Sequence, residues 1–305
     1  MLGVDKSRCL FYICSMSGVH VLWFRQDLRV HDHAPLKAAC LAAARDGGRV
    51  VPLFLIDPKE TPSRFLVESL KDLDAALEQR GGQLHYRQGD PAEVLSELHR
   101  RHNLRSLHLY ETALPSPTEA EVEAWCMRAG VAWRMYPQFG PELSSERSVS
   151  AAEAWDAFMA APRHEAPGVL PAAQIGIGQP PAVPLSEDDP TYALGGRKAA
   201  IETMRSVLGR VSDLDRIATA SEPDGAYAKQ LAPYLELGLI SVRETWQAAV
   251  TARNQYLAAG QDIRAARVTD LIRHLPDVWR ARLCPAFGKS PSVRARPGGQ
   301  LSLDL

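Results

Sequence analysis

Val19-His20-Val21-Leu22-Trp23-Phe24, answered further on by Arg49-Val50-Val51-Pro52-Leu53-Phe54-Leu55-Ile56, decides the fold. Both are short runs rich in β-branched and aromatic side chains, the pattern of strands buried on both faces. Between them Pro35 to Arg45 is alanine-rich and helix-forming, and Gly47-Gly48 supplies the stop. Working outward, the apolar residues Phe65, Leu66, Leu70, Leu73 and Leu77 recur at three- and four-residue steps and predict a helix with one buried face, ending at Gly81-Gly82. Strand-like Gln83-Leu84-His85-Tyr86-Arg87 follows, then a helix through Pro91, Val94, Leu95 and Leu98, then the strand Ser106-Leu107-His108-Leu109-Tyr110. A further helix, Pro117 to Arg128, leads to Val131-Ala132-Trp133-Arg134-Met135-Tyr136. Strand and helix alternating on short links force parallel pairing, because each helix carries the chain back across the sheet. Residues 18–140 are therefore expected to form an α/β domain with a doubly wound parallel sheet.

Residues 141–195 read as an interdomain linker: within 161–190 Pro, Gly and Ala dominate, periodicity vanishes, and Glu187-Asp188-Asp189-Pro190 closes the run. Beyond it Gly196 to Leu208, Leu231 to Ala249 and Asp262 to Leu275 are helical in pattern. Residues 196–285 thus open an all-helical domain whose pattern breaks at Pro276, and residues 286–305 read as an irregular tail, so the helical domain is expected to be incomplete.

Among the 305 residues, 46% are hydrophobic and 23% charged, enough to bury two ordinary cores and to exclude a disordered chain. With 35 basic and 36 acidic residues the net charge is −1, which advertises no nucleic-acid partner yet leaves a local basic groove open. Cys9, Cys14, Cys40, Cys126 and Cys284 lack the CxxC pairs of a zinc or thioredoxin-type site, so no metal is expected and reduced thiols in a cytoplasmic protein are the simplest reading. The apolar run Cys9 to Cys14 is far shorter than the roughly 20 residues of a membrane span. Lys6 and Arg8 before it and Ser15-Met16-Ser17 after it allow a signal peptide; the alternative is an upstream start codon or a loose leader, with folding beginning near Gly18.

Open α/β sheets take ligands at the carboxyl ends of their strands, which directs attention to Arg25-Gln26-Asp27-Leu28-Arg29-Val30-His31-Asp32-His33 after the first strand. Two readings stand: a phosphate or nucleotide site, or a network in which Arg25, Asp27 and Arg29 pair with one another and with helix ends to fix the loop. His31-Asp32-His33 suggests a metal site, against which adjacent side chains of an extended loop point apart. The sequence contains neither GxGxxG nor GxxxxGK[ST], so neither dinucleotide nor P-loop cradling is indicated.

Leu22 to His33 is similar to the opening signature of the cryptochrome/photolyase family. The likeness continues in family order through Val51-Pro52-Leu53-Phe54, Asp57-Pro58, Arg64 to Leu73, Leu77 to Gly81 and Arg87 to Leu95. The His31-Asp32-His33 variant and the wording of Arg64 to Leu73 resemble the DASH-like members. After the linker, Leu231-Ala232-Pro233-Tyr234-Leu235-Glu236-Leu237-Gly238-Leu239-Ile240-Ser241-Val242-Arg243 resembles the segment that enters the family's flavin domain.

The resemblance implies a blue-light flavoprotein in which FAD passes an electron to pyrimidine dimers in DNA, or senses light instead. It implies a flavin-phosphate loop at Ala228, Lys229, Gln230, Leu231 and Ala232, where the family carries hydroxyl residues ahead of a helix; Lys229 and the backbone amides remain to meet phosphate. Asp270-Leu271-Ile272-Arg273-His274 resembles the start of a later family stretch, with Arg273 where tryptophan is expected, and the likeness ends soon after. Glu111 stands where the family contacts an antenna chromophore, whose identity the residues do not give. No catalytic residue is assigned. The alternative is a truncated, non-catalytic form that keeps an α/β nucleotide-binding-type domain.

Overall fold

The computed structural model describes residues 18–59, 61–112, 117–138, 151–182, 193–209, 225–283, 293–295 and 301–303. They fall into two compact units, the first made of residues up to 110, 116–136 and 164–190, the second of 111–115, 137–163 and 191–305.

In the first unit β1 (Val19–Phe24), α1 (Ala34–Asp46), β2 (Arg49–Ile56), α2 (Arg64–Glu78), β3 (His85–Gln88), α3 (Pro91–His102), β4 (Leu104–Tyr110), α4 (Pro117–Ala129) and β5 (Ala132–Tyr136) alternate as the sequence pattern requires. All strand pairs are parallel, in the order β3-β2-β1-β4-β5, so the chain winds out to β3, returns past β1 and winds the other way. This is the doubly wound α/β architecture expected from the sequence.

Local chemistry fixes the helix ends. The His33 ring accepts the Leu36 N–H at the start of α1, Ser63 accepts the Leu66 N–H for α2, and Asp90 accepts the Glu93 N–H for α3. Gly47 at φ 70° ends α1 in the left-handed conformation that glycine adopts without strain. One sheet face, built from Val19, Val21, Trp23, Leu53, Leu107 and Leu109, packs apolar against Val94, Leu95 and Leu98 of α3 and Val122 and Cys126 of α4. On α2 the buried apolar residues are Val67, Leu70, Leu73 and Leu77; Phe65 and Leu66, expected on that face, are only half-buried in the first turn, and Val67 takes their place.

The stretch expected as a bare linker, 141–195, is more structured than its composition. Its residues 141–150 and 183–192 lie outside the described residues, but Ala151–Ala160 forms α5 and 164–182 belongs to the first unit. Val50 N–H donates to Pro171 O, Ala173 N–H to Val50 O and Tyr86 N–H to Ile177 O, so residues 171–177 run along the sheet edge. Arg87 clamps this segment through the carbonyls of Gly176 (2.8 Å) and Ile177 (3.1 Å). Proline and glycine erased the periodicity but left carbonyls free to bond.

The second unit holds α5, α6 (Arg197–Gly209), α7 (Gly225–Glu236), α8 (Val242–Ala258) and α9 (Asp262–Leu283). The helix expected over Leu231 to Ala249 is two helices: Gly238 at φ 63° breaks it, with its N–H on Leu235 O and the Leu239 N–H on Tyr234 O. Ser241 then caps α8 by accepting the Glu244 N–H. Pro276 does not end α9, which runs through it to Leu283; a proline removes one ladder bond, and the helix carries that loss. Of the expected irregular tail, 293–295 and 301–303 are described, and they pair as antiparallel strands β6 and β7.

Candidate functional site

The loop after β1 turns its charges inward. The Arg25 backbone N–H donates to Asp27 at 2.6 Å, and its guanidinium bonds Glu119 of α4 at 2.6 Å and the Tyr110 carbonyl while lying over the Trp23 ring. Arg29 is buried, lies over the Tyr110 ring and donates to the Asp32 carbonyl. The same carbonyl accepts the Tyr110 hydroxyl, and that hydroxyl accepts the Ala34 N–H. Asp32 holds φ 47°, and its Oδ1 accepts the His164 N–H.

Asp27 and His33 form the centre, both buried, at 2.9 Å between Nε2 and Oδ2. His33 Nδ1 accepts the Leu36 N–H, so the ring carries its proton on Nε2 and donates it to Asp27. Burial pushes the His33 pKa down, outweighing the pull of the Asp27 hydrogen bond. Burial alone would raise Asp27, but the hydrogen bond from His33 and the Arg25 amide outweigh it and hold the carboxyl below its usual range. A neutral histidine donating to an ionised aspartate satisfies both. Arg25, Asp27, Arg29, Asp32 and His33 are thus engaged with the fold, and the network reading of this loop is the one the structure takes. His31 is exposed while His33 is buried on Asp27, and among the described residues no group of three or more His, Cys, Asp or Glu is arranged to hold a metal ion.

Sequence reasoning missed Glu119, whose partner Arg25 lies far away in the chain. It also missed a second polar array, in which His20, Ser106 and His108 occupy buried strand positions. The signal was present: parallel strands covered on both faces are expected to read as unbroken apolar runs, and these residues interrupt β1 and β4.

Glu111 is half-buried, and its carboxylate accepts the Gln138 N–H at 3.1 Å. The residues that the resemblance assigns to flavin phosphate fall inside α7 and not ahead of it. The N–H of a helix's fourth residue already bonds the carbonyl ahead of the helix, so of the helical residues only Gly225, Ala226 and Tyr227 keep a free backbone donor, and none of the five does. Gln230 is exposed, whereas Leu231 and Ala232 are buried in the helical core. The free backbone donors of α7 are thus those of its opening turn, ahead of residues 228–232.

Residues 20–138 match the family model described as DNA photolyase. Cryptochrome DASH of Xenopus laevis is 26% identical over 282 residues, covering 77% of this chain and 52% of its own length. Among solved structures, a Synechocystis sp. PCC6803 cryptochrome superposes with a TM-score of 0.65 at 18% identity, over 87% of this chain and 60% of its own. An archaeal photolyase from Sulfolobus tokodaii, solved with two FAD molecules, gives a TM-score of 0.52 at 19% identity over 75% of this chain and 54% of its own. The chain spans about half the length of the curated relatives it matches most extensively. With the signature loop folded as an ordered network, the family model matched across the sheet and a relative aligned into the helical unit, this chain is similar to cryptochromes and photolyases over both of its units.

Proposed function

We propose that this chain serves as a photolyase- or cryptochrome-type blue-light flavoprotein of the DASH-like branch, working in the cytoplasm. One observation carries the reading: the alignment with cryptochrome DASH covers 77% of the chain and so extends beyond the α/β unit into the helices that would meet a flavin. The cofactor is FAD, its phosphates met by the free N–H groups at the start of α7. When bound, the reduced and photoexcited flavin supplies an electron to a cyclobutane pyrimidine dimer extruded from DNA and recovers it after the dimer splits. In a photosensing member the same excitation is spent on a change of conformation. The half-buried Glu111 carboxylate is the candidate contact for an antenna chromophore.

The deciding measurement is the absorbance and fluorescence spectrum of the purified chain before and after heat release of any ligand. Flavin bands with FAD in the released fraction support the reading. A pyrimidine-dimer assay under blue light then separates repair from sensing, because a flavin-loaded chain that leaves dimers intact is no photolyase. A colourless, folded protein favours the second reading, an α/β domain without light chemistry, for which the burial of Leu231 and Ala232 inside α7 already argues. Binding of ATP or AMP would then define what that domain holds.

A further inference from the structure

On the sheet face covered by α1, five side chains form an unbroken hydrogen-bonded chain. Asp46 at the end of α1 meets His20 Nε2 at 3.1 and 3.2 Å; His20 Nδ1 meets Ser106 Oγ at 2.6 Å. Ser106 Oγ meets His108 Nε2 at 2.7 Å, and His108 Nδ1 meets the Tyr136 hydroxyl at 3.1 Å, with the two rings stacked. The strand register explains the alignment, since His20 pairs beside Ser106, and His108 and Tyr136 follow on the same face of β4 and β5. His20, Ser106 and His108 are buried; Asp46 at one end and Tyr136 at the other reach solvent.

The direction of every bond follows from one end. The Asp46 carboxylate, which also accepts from Arg105 at 2.8 Å and from the Gly48 N–H, is acceptor only, so His20 carries a proton on Nε2. In neutral His20, Nδ1 then accepts the Ser106 hydroxyl proton. Ser106 Oγ accepts the His108 Nε2 proton, and His108 Nδ1 accepts the Tyr136 proton. All four bonds point from Tyr136 toward Asp46. Because Asp46 can only accept, the alternative state reverses the three bonds between Tyr136 and His20 and keeps the fourth.

We propose that these residues are a proton path that charges His20 from the Tyr136 end and, in doing so, reverses its own polarity. When His20 takes a second proton, it comes from Ser106, the only group on Nδ1. Ser106 is refilled from His108 Nε2, His108 from the Tyr136 hydroxyl at Nδ1, and Tyr136 from solvent. Three protons each move one place, one enters, and the positive charge rests beside Asp46. His108 ends as the Nδ1–H tautomer, donating to Tyr136, whose hydroxyl now points away from it. The charged groups around the path are placed unequally: Asp46 on α1 faces His20, with Arg105 of β4 bound to that carboxylate, whereas Arg134 of β5 acts on His108. Burial, with the neighbouring His20 and Arg134, lowers the His108 pKa to about 4, which keeps His108 a relay and not a resting place for charge. The reversal delivers a hydroxyl donor at the carboxyl end of β5, the side on which open α/β sheets take ligands.

The test is nitrogen-15 NMR of the histidine-labelled full chain, followed from about pH 8 to about pH 5, the range in which histidines change charge. The path requires that His108 exchange Nε2–H for Nδ1–H with the same midpoint at which His20 becomes doubly protonated. Ser106→Ala, checked for fold by circular dichroism, breaks the chain between the two rings and must uncouple the His108 tautomer from His20. A wild-type His108 that keeps its tautomer across the His20 titration overturns the path, and that result is readable even if Ser106→Ala fails to fold. A His108 that still switches with His20 in folded Ser106→Ala overturns it equally.

Discussion

Asp27 and His33 show how much one pair can decide. His33 caps α1 through Nδ1 and satisfies Asp27 through Nε2, so His33→Ala removes a cap worth about 1 kcal/mol and strands a buried carboxylate at about 3–5 kcal/mol. His33→Asn restores the cap but not the reach to Asp27, and urea unfolding should therefore show most of the loss persisting in that variant. The histidines also set the acid limit. His33 and His108 have folded pKa values below the ordinary 6.5, so the folded state binds fewer protons than the unfolded chain and their contribution is full above 6.5. It falls as pH drops, and for His108 the window runs from 6.5 down to about 4, amounting to on the order of 3 kcal/mol. Urea midpoints measured at about pH 7 and about pH 4.5 should differ accordingly, and His108→Leu should flatten part of that slope. In the second unit Glu244 holds Arg197 through two bonds and Arg163 through a third. Glu244→Gln should cost about 3 kcal/mol or more in that unit, since Arg197 loses a largely buried partner.

At the scale of elements, the first nine were legible because their signals are local: alternating apolar runs, a glycine after α1, Ser63 and Asp90 at helix starts. Gly238 was legible only as part of a helical pattern, because the αL turn it makes depends on where the chain must go next. The edge segment 171–177 was not legible at all, for its bonds use backbone carbonyls, which every residue carries. Its geometry does make a sharp prediction. Gly178 sits at φ 83°, and a Cβ there would land on the Tyr86 carbonyl oxygen. Gly178→Ala should therefore lift the 176–178 end of the segment from β3, seen as faster proteolysis there with the sheet itself intact. The candidate site was legible in composition but not in role: the arginines and aspartates of the β1 loop announced a polar cluster, and only the distant Tyr110 and Glu119 decided that it serves the fold.

At the scale of the molecule, strands β1 and β4 lie at the centre of the sheet and are buried along nearly their whole length. Hydrogen exchange should report their amides as the slowest of the first unit, with β5 exchanging earlier because its residues are half-buried or exposed. Among the described residues no helix is long and apolar enough to cross a membrane. The two margins of the sheet are unlike each other. Beside β2 and β3 the chain's own segment 171–177 takes up the Val50 N–H and carbonyl and the Tyr86 N–H, whereas β5 among the described residues has a neighbouring strand on one side alone. Where that segment lies, Val50 and Tyr86 spend these groups inside the chain, so a strand from a second copy would find none of them left to pair with.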